Sequence, residues 1–297
     1  MADLQNLADL ERQVRWLSSW TIHHANHLRP NAGNIKVGGH QASCASAVTL
    51  MTALYFYALR PQDRVAVKPH ASPVFHAIQY LFGNQILKNL KAFRGFSGAQ
   101  SYPSRTKDTD DVDFSTGSVG LGPAMTVFTS IVQDYLRRHV SEKRTTDPGR
   151  MVALVGDAEM DEGNMYEALW EGWKHGLRNC WWIIDYNRQS LDGVVTDHLF
   201  RLIDRLFRTT GWQVITIKYG KRMMEAFARP GGLALRKWIN KCPNDLYAAL
   251  TFQGGAAWRD HLIADIGQDP EAMKLIASYT DNTLGELMTN LGGHCME

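Results

Sequence analysis

Two short polar segments each follow a continuous apolar run, and their residue types suit metal and phosphate chemistry. Asp157 closes the run 150–156, and Asn187 and Gln189 close the run 180–187, with 30 residues separating Asp157 from Asn187. Because neighbouring parallel strands end at the same edge of a sheet, we expect these groups to converge. A carboxylate, an amide oxygen and the main-chain oxygen of Gln189 would supply part of an octahedral Mg²⁺ shell, which a diphosphate and water complete.

Several polar residues at these strand ends also have a plain structural explanation. Asp157 suits a turn that caps a helix, and Glu159 suits the first turn of a helix, where the positive end of the helix dipole favours a carboxylate. The same dipole, from a helix beginning near Glu159, would also attract a diphosphate. Asp185 is predicted to be structural rather than a ligand. The residues alone therefore leave both the metal site and the simple cap open.

The hydrophobic pattern predicts an α/β fold: a doubly wound, mainly parallel sheet with helices on both faces, plus a helical C-terminal tail. Predicted strands are 64–68, 150–156, 180–187 and 212–218, and predicted helices are 4–28, 43–59, 74–82, 121–140, 159–176, 197–210, 221–229, 231–241, 255–266, 270–279 and 281–289. Ser43 is the predicted N-cap of its helix. Residues 93–120 form a long loop. The predicted domains are an N-terminal helix (1–30), the α/β domain (31–220) and a helical extension packed on it (221–297).

Composition excludes several classes of protein. The chain has 297 residues, 44% hydrophobic and 21% charged, so it is globular rather than disordered. A net charge of +2 gives no reason to expect a nucleic-acid or membrane partner. Four scattered cysteines, no apolar signal segment and no run long enough to span a membrane predict a cytoplasmic protein with reduced thiols. Six tryptophans in regular patterns are predicted to pack in the core: Trp16, Trp20, Trp170, Trp173, Trp181 and Trp182.

The segment 156–193 resembles the thiamine-diphosphate motif of the transketolase and 2-oxo-acid dehydrogenase superfamily, which begins Gly-Asp-Gly and ends near an Asn about 30 residues later. The resemblance extends over nearly the whole chain. It includes GGHQAS (38–43), KPHASP (68–73), SYP (101–103), GSVGLGP (117–123) and SLDG (190–193). Their order and spacing are similar to those of the single-chain decarboxylating component of bacterial pyruvate dehydrogenases.

The resemblance implies thiamine diphosphate and Mg²⁺ as cofactors. It implies that Asp157, Asn187 and Gln189 bind the metal, Gln189 through its main chain, and that His40, His70 and Tyr102 are catalytic. The implied cofactor-binding residues are Ser43, Gly117, Ser118, Val119, Gly156, Asp157, Ala158, Glu159 and Asn187. The alternatives are a hydrogen-bonded structural role for each histidine and simple packing for Tyr102.

Four residues at three places depart from the family pattern. Ala158 stands where the family has glycine, so a turn with positive φ would be strained there by about 1 kcal/mol. Lys68 replaces a glutamine, and Ser104-Arg105 replaces His-Pro. We expect the added charge of Lys68 and Arg105 to suit a phosphorylated sugar or a second carboxylate, which leaves the substrate open.

The implied function is that of a thiamine-diphosphate- and Mg²⁺-binding subunit, or N-terminal part, of a pyruvate-type 2-oxo-acid dehydrogenase. No second α/β domain follows Val214 in the sequence pattern, so a pyrimidine-binding domain is expected on another chain or in a missing C-terminal part. A homodimer or heterotetramer is expected, with a lipoyl acyltransferase as a further partner. The alternatives are one subunit of a split transketolase, which moves two-carbon ketol units between sugar phosphates, and a cofactor-binding protein without turnover.

Overall fold

A computed structural model describes residues 4–30, 33, 35–140, 148–187, 189–190, 193–194 and 199–297. The chain divides into two compact units. The first is Met1–Asn187 with Leu202–Val214 and Met296, and the second is Arg188–Arg201 with Ile215–Cys295 and Glu297. The domain boundaries expected from the sequence stay a prediction.

The first unit is built around a three-stranded parallel sheet in the order β1-β2-β3. The strands are β1 (Arg64–Ala66), β2 (Met151–Gly156) and β3 (Cys180–Asp185). From Met151 to Val155, no residue of β2 is more than 5% exposed, so its unbroken apolar run reflects burial on both faces. The predicted strands 64–68, 150–156 and 180–187 are confirmed, each within a few residues.

Helices up to residue 209 follow most of the predicted ranges. They are α1 (Leu4–His23, continued by a π-helical turn, His24–Leu28), α2 (Gln41–Ala53, continued by Leu54–Ala58), α3 (Ser72–Leu81), α4 (Leu87–Lys91), α5 (Leu121–His139), α6 (Gly163–Lys174) and α7 (Leu199–Thr209). The prediction of one helix over 159–176 is wrong at its start. Asp157–Asp161 forms a 3₁₀ turn, and α6 begins only at Gly163. Residues 93–120 contain neither helix nor strand, as predicted.

Helices cover both faces of the sheet, which confirms the α/β class. On one face, Val65, Val152 and Leu154 pack with buried residues of α1, α2 and α3. On the other, Ala153 and Val155 pack with residues of α6 and α7. The apolar side chains of each strand therefore alternate between two helical layers.

Sequence periodicity predicts an apolar stripe on α5, formed by Met125, Phe128, Ile131, Val132 and Tyr135, and much of this stripe faces outward. Phe128, Val132 and Tyr135 are 48%, 53% and 60% exposed. Small residues such as Ala124 and Val127 pack inward instead, against Ala168 of α6. Of the six tryptophans predicted to pack in the core, Trp20 and Trp182 are half-buried and pack against core clusters. The prediction is wrong for Trp16, Trp170, Trp173 and Trp181, since each is 44–63% exposed. Close packing of α5 and α6 requires small residues, so the large apolar ones point away.

The predicted strand 212–218 does not form. Trp212 and Val214 pack beside the second face of the sheet, whereas Ile215 and Ile217 are 76% and 69% exposed. Lys218 belongs to the second unit, and its main-chain oxygen accepts a hydrogen bond from Gly292 N–H of the same unit. The segment is divided between the two units after Val214, and no strand ladder forms along it.

The second unit is helical around one core. Its helices are α8 (Lys221–Phe227), α9 (Gly232–Lys241), α10 (Asn244–Gln253), α11 (Gly255–Ile266), α12 (Pro270–Ala277) and α13 (Asp281–Met288), and a short antiparallel ladder joins β4 (Gln189–Ser190) to β5 (Gly193–Val194). Trp258, fully buried, packs against Trp238 and Tyr247. The predicted helical tail is confirmed. Sequence periodicity missed α10, which buries only Tyr247 and Leu250.

Two expectations about the whole chain also have structural counterparts. Cys44, Cys180, Cys242 and Cys295 are all free thiols, which agrees with the predicted absence of disulfides. Within the described ranges, none of the helices combines the length and apolar character required to cross a lipid bilayer.

Candidate functional site

The ladder between β2 and β3 places the two polar strand ends side by side. Gly156 pairs with Asp185 in register, so Asp157 and Asn187 follow neighbouring strand ends at one edge of the sheet. Asp157 is 3% exposed, and its Oδ1 accepts a hydrogen bond of 3.1 Å from Ala158 N–H. The Asn187 N–H donates to the Asp185 carbonyl at 3.1 Å. The two strand ends are therefore adjacent, as the βαβ pattern predicts, and metal binding by Asp157 and Asn187 stays a prediction.

Gln189, the third predicted metal ligand, lies in β4 of the second unit. Its predicted role, through its main-chain oxygen, stays a prediction. Residues 191 and 192 of the SLDG motif lie outside the described residues.

The expected strain at Ala158 is absent. Ala158 lies in the 3₁₀ turn Asp157–Asp161, and among the described non-glycine residues only Arg94 and Ser97 have positive φ. Alanine therefore fits this position, because a helical turn does not need the conformational freedom of glycine.

Glu159 joins the end of β2 to the loop before α5. Its Oε1 accepts a hydrogen bond of 2.9 Å from Gly156 N–H, and its Oε2 accepts one of 2.8 Å from Gly120 N–H. Burial raises the pKa of Glu159, although the two amides favour its charged form. Both carboxylate oxygens thus have a structural use, and a contact with cofactor stays a prediction.

Gly120 fixes where the segment 117–119, predicted to bind the cofactor, lies. Gly120 has φ of +80°, and a Cβ there would lie 2.6 Å from the side-chain oxygen of Asn164. Glycine is therefore required where α5 begins. Immediately before it, Gly117 and Ser118 are exposed and Val119 is half-buried. Their predicted roles in cofactor binding stay predictions, and the exposure of Gly117 and Ser118 leaves them accessible.

The three predicted catalytic residues come together from three separate segments. His40 precedes α2, His70 lies in the 3₁₀ turn Pro69–Ala71, and Tyr102 lies in the long loop. The ring centroids of His40 and His70 are 4.3 Å apart, and those of His70 and Tyr102 are 6.4 Å apart, both in edge-to-face arrangements. Only the family resemblance pointed to this cluster, because no local periodicity connects residues 40, 70 and 102.

Both histidines are held in the neutral form. Burial lowers the pKa of His70 to about 4, with further contributions from His40, Lys68 and Arg94. Burial also lowers the pKa of His40, as do Arg94 and Lys36. His70 Nδ1 is buried and lacks a hydrogen-bond partner among the described residues. A neutral imidazole with one unused buried nitrogen can bind a polar group of a ligand.

We expect His70 to remain neutral down to a pH of about 4. In the unfolded chain the imidazole of His70 binds a proton more strongly, with a pKa of about 6.5. The contribution of neutral His70 to the free energy of unfolding is therefore fully present above the pKa of the unfolded chain. It is lost as pH falls through the folded pKa of about 4. NMR titration of the imidazole signals, assigned with the His70→Asn variant, measures this pKa. A His70 midpoint near about 6.5 would contradict it.

Sequence reasoning misjudged two polar residues at this edge. Lys68, proposed as free charge for a substrate, is 4% exposed and its Nζ lies 2.5 Å from Asp185 Oδ2. Ser43 is not an N-cap, since His40 occupies that position and Ser43 lies half-buried in the first turn. Its predicted contact with cofactor stays a prediction. Arg105 is exposed, as a charge for a substrate requires.

A separate polar cluster braces the long loop. His76 Nδ1 contacts Asp110, its Nε2 lies 2.9 Å from the Gln100 carbonyl, and Asp108 accepts hydrogen bonds from Gln100 and Ser104 N–H groups. His76, Asp108 and Asp110 are close enough to bind a metal. Because these contacts already connect the loop to α3, they have a structural explanation.

Known proteins match this chain in sequence and in structure. The family model described as "Transketolase, thiamine diphosphate binding domain" matches residues 47–229, more than half of the chain. The pyruvate dehydrogenase E1 component of Mycolicibacterium smegmatis is 30% identical over 96% of this chain and 31% of that protein. The E1 component of Escherichia coli K12 is 29% identical over 96% of this chain and 33% of that protein.

Solved transketolases share the fold. The transketolase of Campylobacter jejuni matches with a TM-score of 0.61 and 23% identity, covering 72% of this chain and 33% of that one. That of Leishmania mexicana also has a TM-score of 0.61, with 20% identity over 72% of this chain and 32% of that one. The chain thus spans about a third of the length of the relatives it matches. Together, the family match and the shared fold show that this chain belongs to the transketolase thiamine diphosphate-binding domain family.

Proposed function

We propose that this chain binds the diphosphate of thiamine diphosphate through Mg²⁺, with Asp157, Asn187 and the main chain of Gln189 as protein ligands. The observation that carries the proposal is the pairing of Gly156 with Asp185, which sets Asp157 and Asn187 at adjacent strand ends. Mg²⁺ prefers oxygen ligands and usually takes only one or two carboxylates from the protein. With one carboxylate, one amide oxygen and one main-chain oxygen from the protein, the remaining coordination positions of Mg²⁺ are left to phosphate oxygens and water.

Other features of the site fit the same cofactor. The buried Asp157 provides the negative charge that a cation requires, and the unused Nδ1 of His70 provides a buried polar atom for a ligand to satisfy. Lys68 is neutralised by Asp185, so we propose that the metal ion supplies the positive charge that holds the diphosphate. These donors suit a metal-bridged diphosphate better than direct binding by basic side chains.

The histidine and tyrosine cluster is proposed to face the reacting end of the cofactor. When bound, thiamine diphosphate supplies a carbon nucleophile for a substrate carbonyl. Neutral imidazoles of His40 and His70 can each donate one hydrogen bond and accept another, and so hold or move a proton. Tyr102 would limit access of water from the loop side. Ser43, Ser118 and Val119 are proposed to contact the cofactor.

We propose a pyruvate-type 2-oxo acid as the substrate. This rests on the relatives named as pyruvate dehydrogenase E1 components, which match over 96% of the chain. The transketolases match over 72% of it, at identities that support the fold alone. Transfer of the acyl group to a lipoyl acyltransferase belongs to the same proposal. A split transketolase remains the second candidate.

A partner domain is proposed because large apolar side chains are exposed on α5 and α6. The exposed set comprises Leu121, Phe128, Val132, Tyr135, Leu136, Tyr166, Trp170 and Trp173, each 40–60% exposed. A depression of about 570 Å³ lies among Phe128, Glu167, Trp170, Glu171 and Lys174. Exposed large apolar side chains bordered by charged ones are typical of protein interfaces. We propose that a pyrimidine-binding domain covers it, in a homodimer or a heterotetramer.

Labelled pyruvate tests the proposed reaction. The full chain, together with its pyrimidine-binding partner, is incubated with carboxyl-labelled pyruvate, thiamine diphosphate and Mg²⁺. We expect labelled carbon dioxide, and no ketol transfer from a ketose phosphate. Ketol transfer without carbon dioxide release would favour the transketolase alternative. Cofactor binding with neither reaction would favour the non-catalytic alternative.

A further inference from the structure

A buried ion pair joins three elements beneath the candidate site. Lys68 Nζ lies 2.5 Å from Asp185 Oδ2, with the two side chains 3% and 8% exposed. Ser46 Oγ of α2 lies 2.6 Å from Asp185 Oδ1 and 2.8 Å from Oδ2. The contacts therefore connect α2 and the segment after β1 to the carboxylate of Asp185, the last residue of β3.

The turn that carries His70 and the turn that carries Asn187 are both directly attached to this ion pair. Lys68 is two residues before His70, whose carbonyl also accepts a hydrogen bond of 3.4 Å from Cys44 Sγ. Asp185 is two residues before Asn187, whose N–H donates to the Asp185 carbonyl at 3.1 Å. A change at the pair must therefore reach both turns.

Buried charges of this kind tolerate the loss of both partners better than the loss of one. Removal of a single partner leaves an uncompensated charge in a site that excludes water, whereas neutral replacement of both can preserve the packing. Lys68 is too buried, and too close to Asp185, to serve as a free cation for substrate. The ion pair is instead suited to fixing the position of the His70 turn relative to the Asn187 turn.

We propose that Lys68 and Asp185 are positioning residues whose ion pair fixes the His70 turn relative to the Asn187 turn, and so aligns the histidines with the metal and diphosphate site. The inference rests on the proposed function for its ligand, whereas the coupling of the two turns is a property of the ligand-free chain. Ser46 supports the same arrangement by orienting the carboxylate.

Hydrogen–deuterium exchange of the ligand-free full chain tests the coupling. Lys68→Gln and Asp185→Asn are each expected to speed exchange at residues 68–71 and 185–187 by about 10-fold, and the double variant is expected to return towards wild type. Asp63→Asn is the matched control. Asp63 is a fully buried carboxylate paired with Arg150, at the opposite end of β1 and β2. Unchanged exchange in both single variants, or equal effects from Asp63→Asn, would overturn the proposal.

Calorimetric titration with thiamine diphosphate and Mg²⁺ tests the consequence for binding. Each single variant is expected to bind about 10–100-fold more weakly, as for groups that orient metal ligands. The double variant should recover most of this loss, and Asp63→Asn should match wild type. Faster exchange with undiminished affinity would overturn the positioning role. If wild type itself bound no cofactor, the proposed function would fail, and exchange alone would still decide whether the pair couples the two turns.

Discussion

Replacement of Asp157 by alanine is expected to weaken Mg²⁺-dependent binding of thiamine diphosphate by about 100-fold or more, while the chain still folds. Asp157 is the only carboxylate among the proposed protein ligands and is 3% exposed. Without it, the cation would lose its one charged protein ligand, and the diphosphate would face a site with little positive charge of its own. A loss of 100-fold corresponds to about 2.7 kcal/mol of binding free energy.

The Asp161→Ala variant is the matched control for this prediction. Asp161 ends the same 3₁₀ turn but is exposed. Calorimetry should give wild-type affinity for Asp161→Ala, and circular dichroism should show native helix content for both variants. Equal affinity of the Asp157→Ala variant and wild type would remove Asp157 from the metal site.

The second large effect is expected from Glu159→Ala, on stability as well as on binding. The variant removes the acceptor of two main-chain N–H groups, the part-buried Gly156 and the buried Gly120. Unpaired buried donors cost about 1–3 kcal/mol each, so we expect the free energy of unfolding to fall by about 2–6 kcal/mol. The segment 117–119 would lose its attachment to the end of β2, and cofactor affinity should fall with it.

Glu159→Gln separates charge from geometry. A glutamine keeps one acceptor oxygen but turns an N–H donor towards the other amide, so we expect an intermediate loss in urea unfolding. The exposed Glu167, on α6, provides the control, because Glu167→Ala removes a carboxylate without breaking a buried hydrogen bond. If Glu159→Ala unfolded at the same urea concentration as Glu167→Ala, the proposed attachment would be wrong.

Much of the sheet and one edge of the site could be predicted because they depend on local pattern. The run 150–156 can be buried on both faces only in a parallel sheet, and the next run then pairs beside it. That reasoning alone places Asp157 near Asn187, and the ladder confirms it. The cluster of His40, His70 and Tyr102 depends on long-range packing of loops, so it required the family resemblance.

The failures have a common physical origin in partners that are distant in sequence. Lys68 was predicted to face a substrate because its partner Asp185 lies 117 residues away. The bond from Gly120 N–H to Glu159 was likewise not visible in the pattern, because the two residues are 39 apart; the cofactor contact of Glu159 stays a prediction. The apolar stripe of α5 predicts burial but not which surface buries it, and within this chain that stripe is exposed.

Isothermal titration calorimetry of the full chain with thiamine diphosphate tests the proposed cofactor site most directly. The titration is made with Mg²⁺, with a chelator in its place, and again in the presence of the pyrimidine-binding partner. In the presence of Mg²⁺ we expect thiamine diphosphate to saturate one site per chain. With the chelator, we expect this binding to be lost or greatly weakened. Absence of binding with Mg²⁺, both for the chain alone and with its partner, would contradict the proposal that Asp157 and Asn187 bind the metal that carries the cofactor.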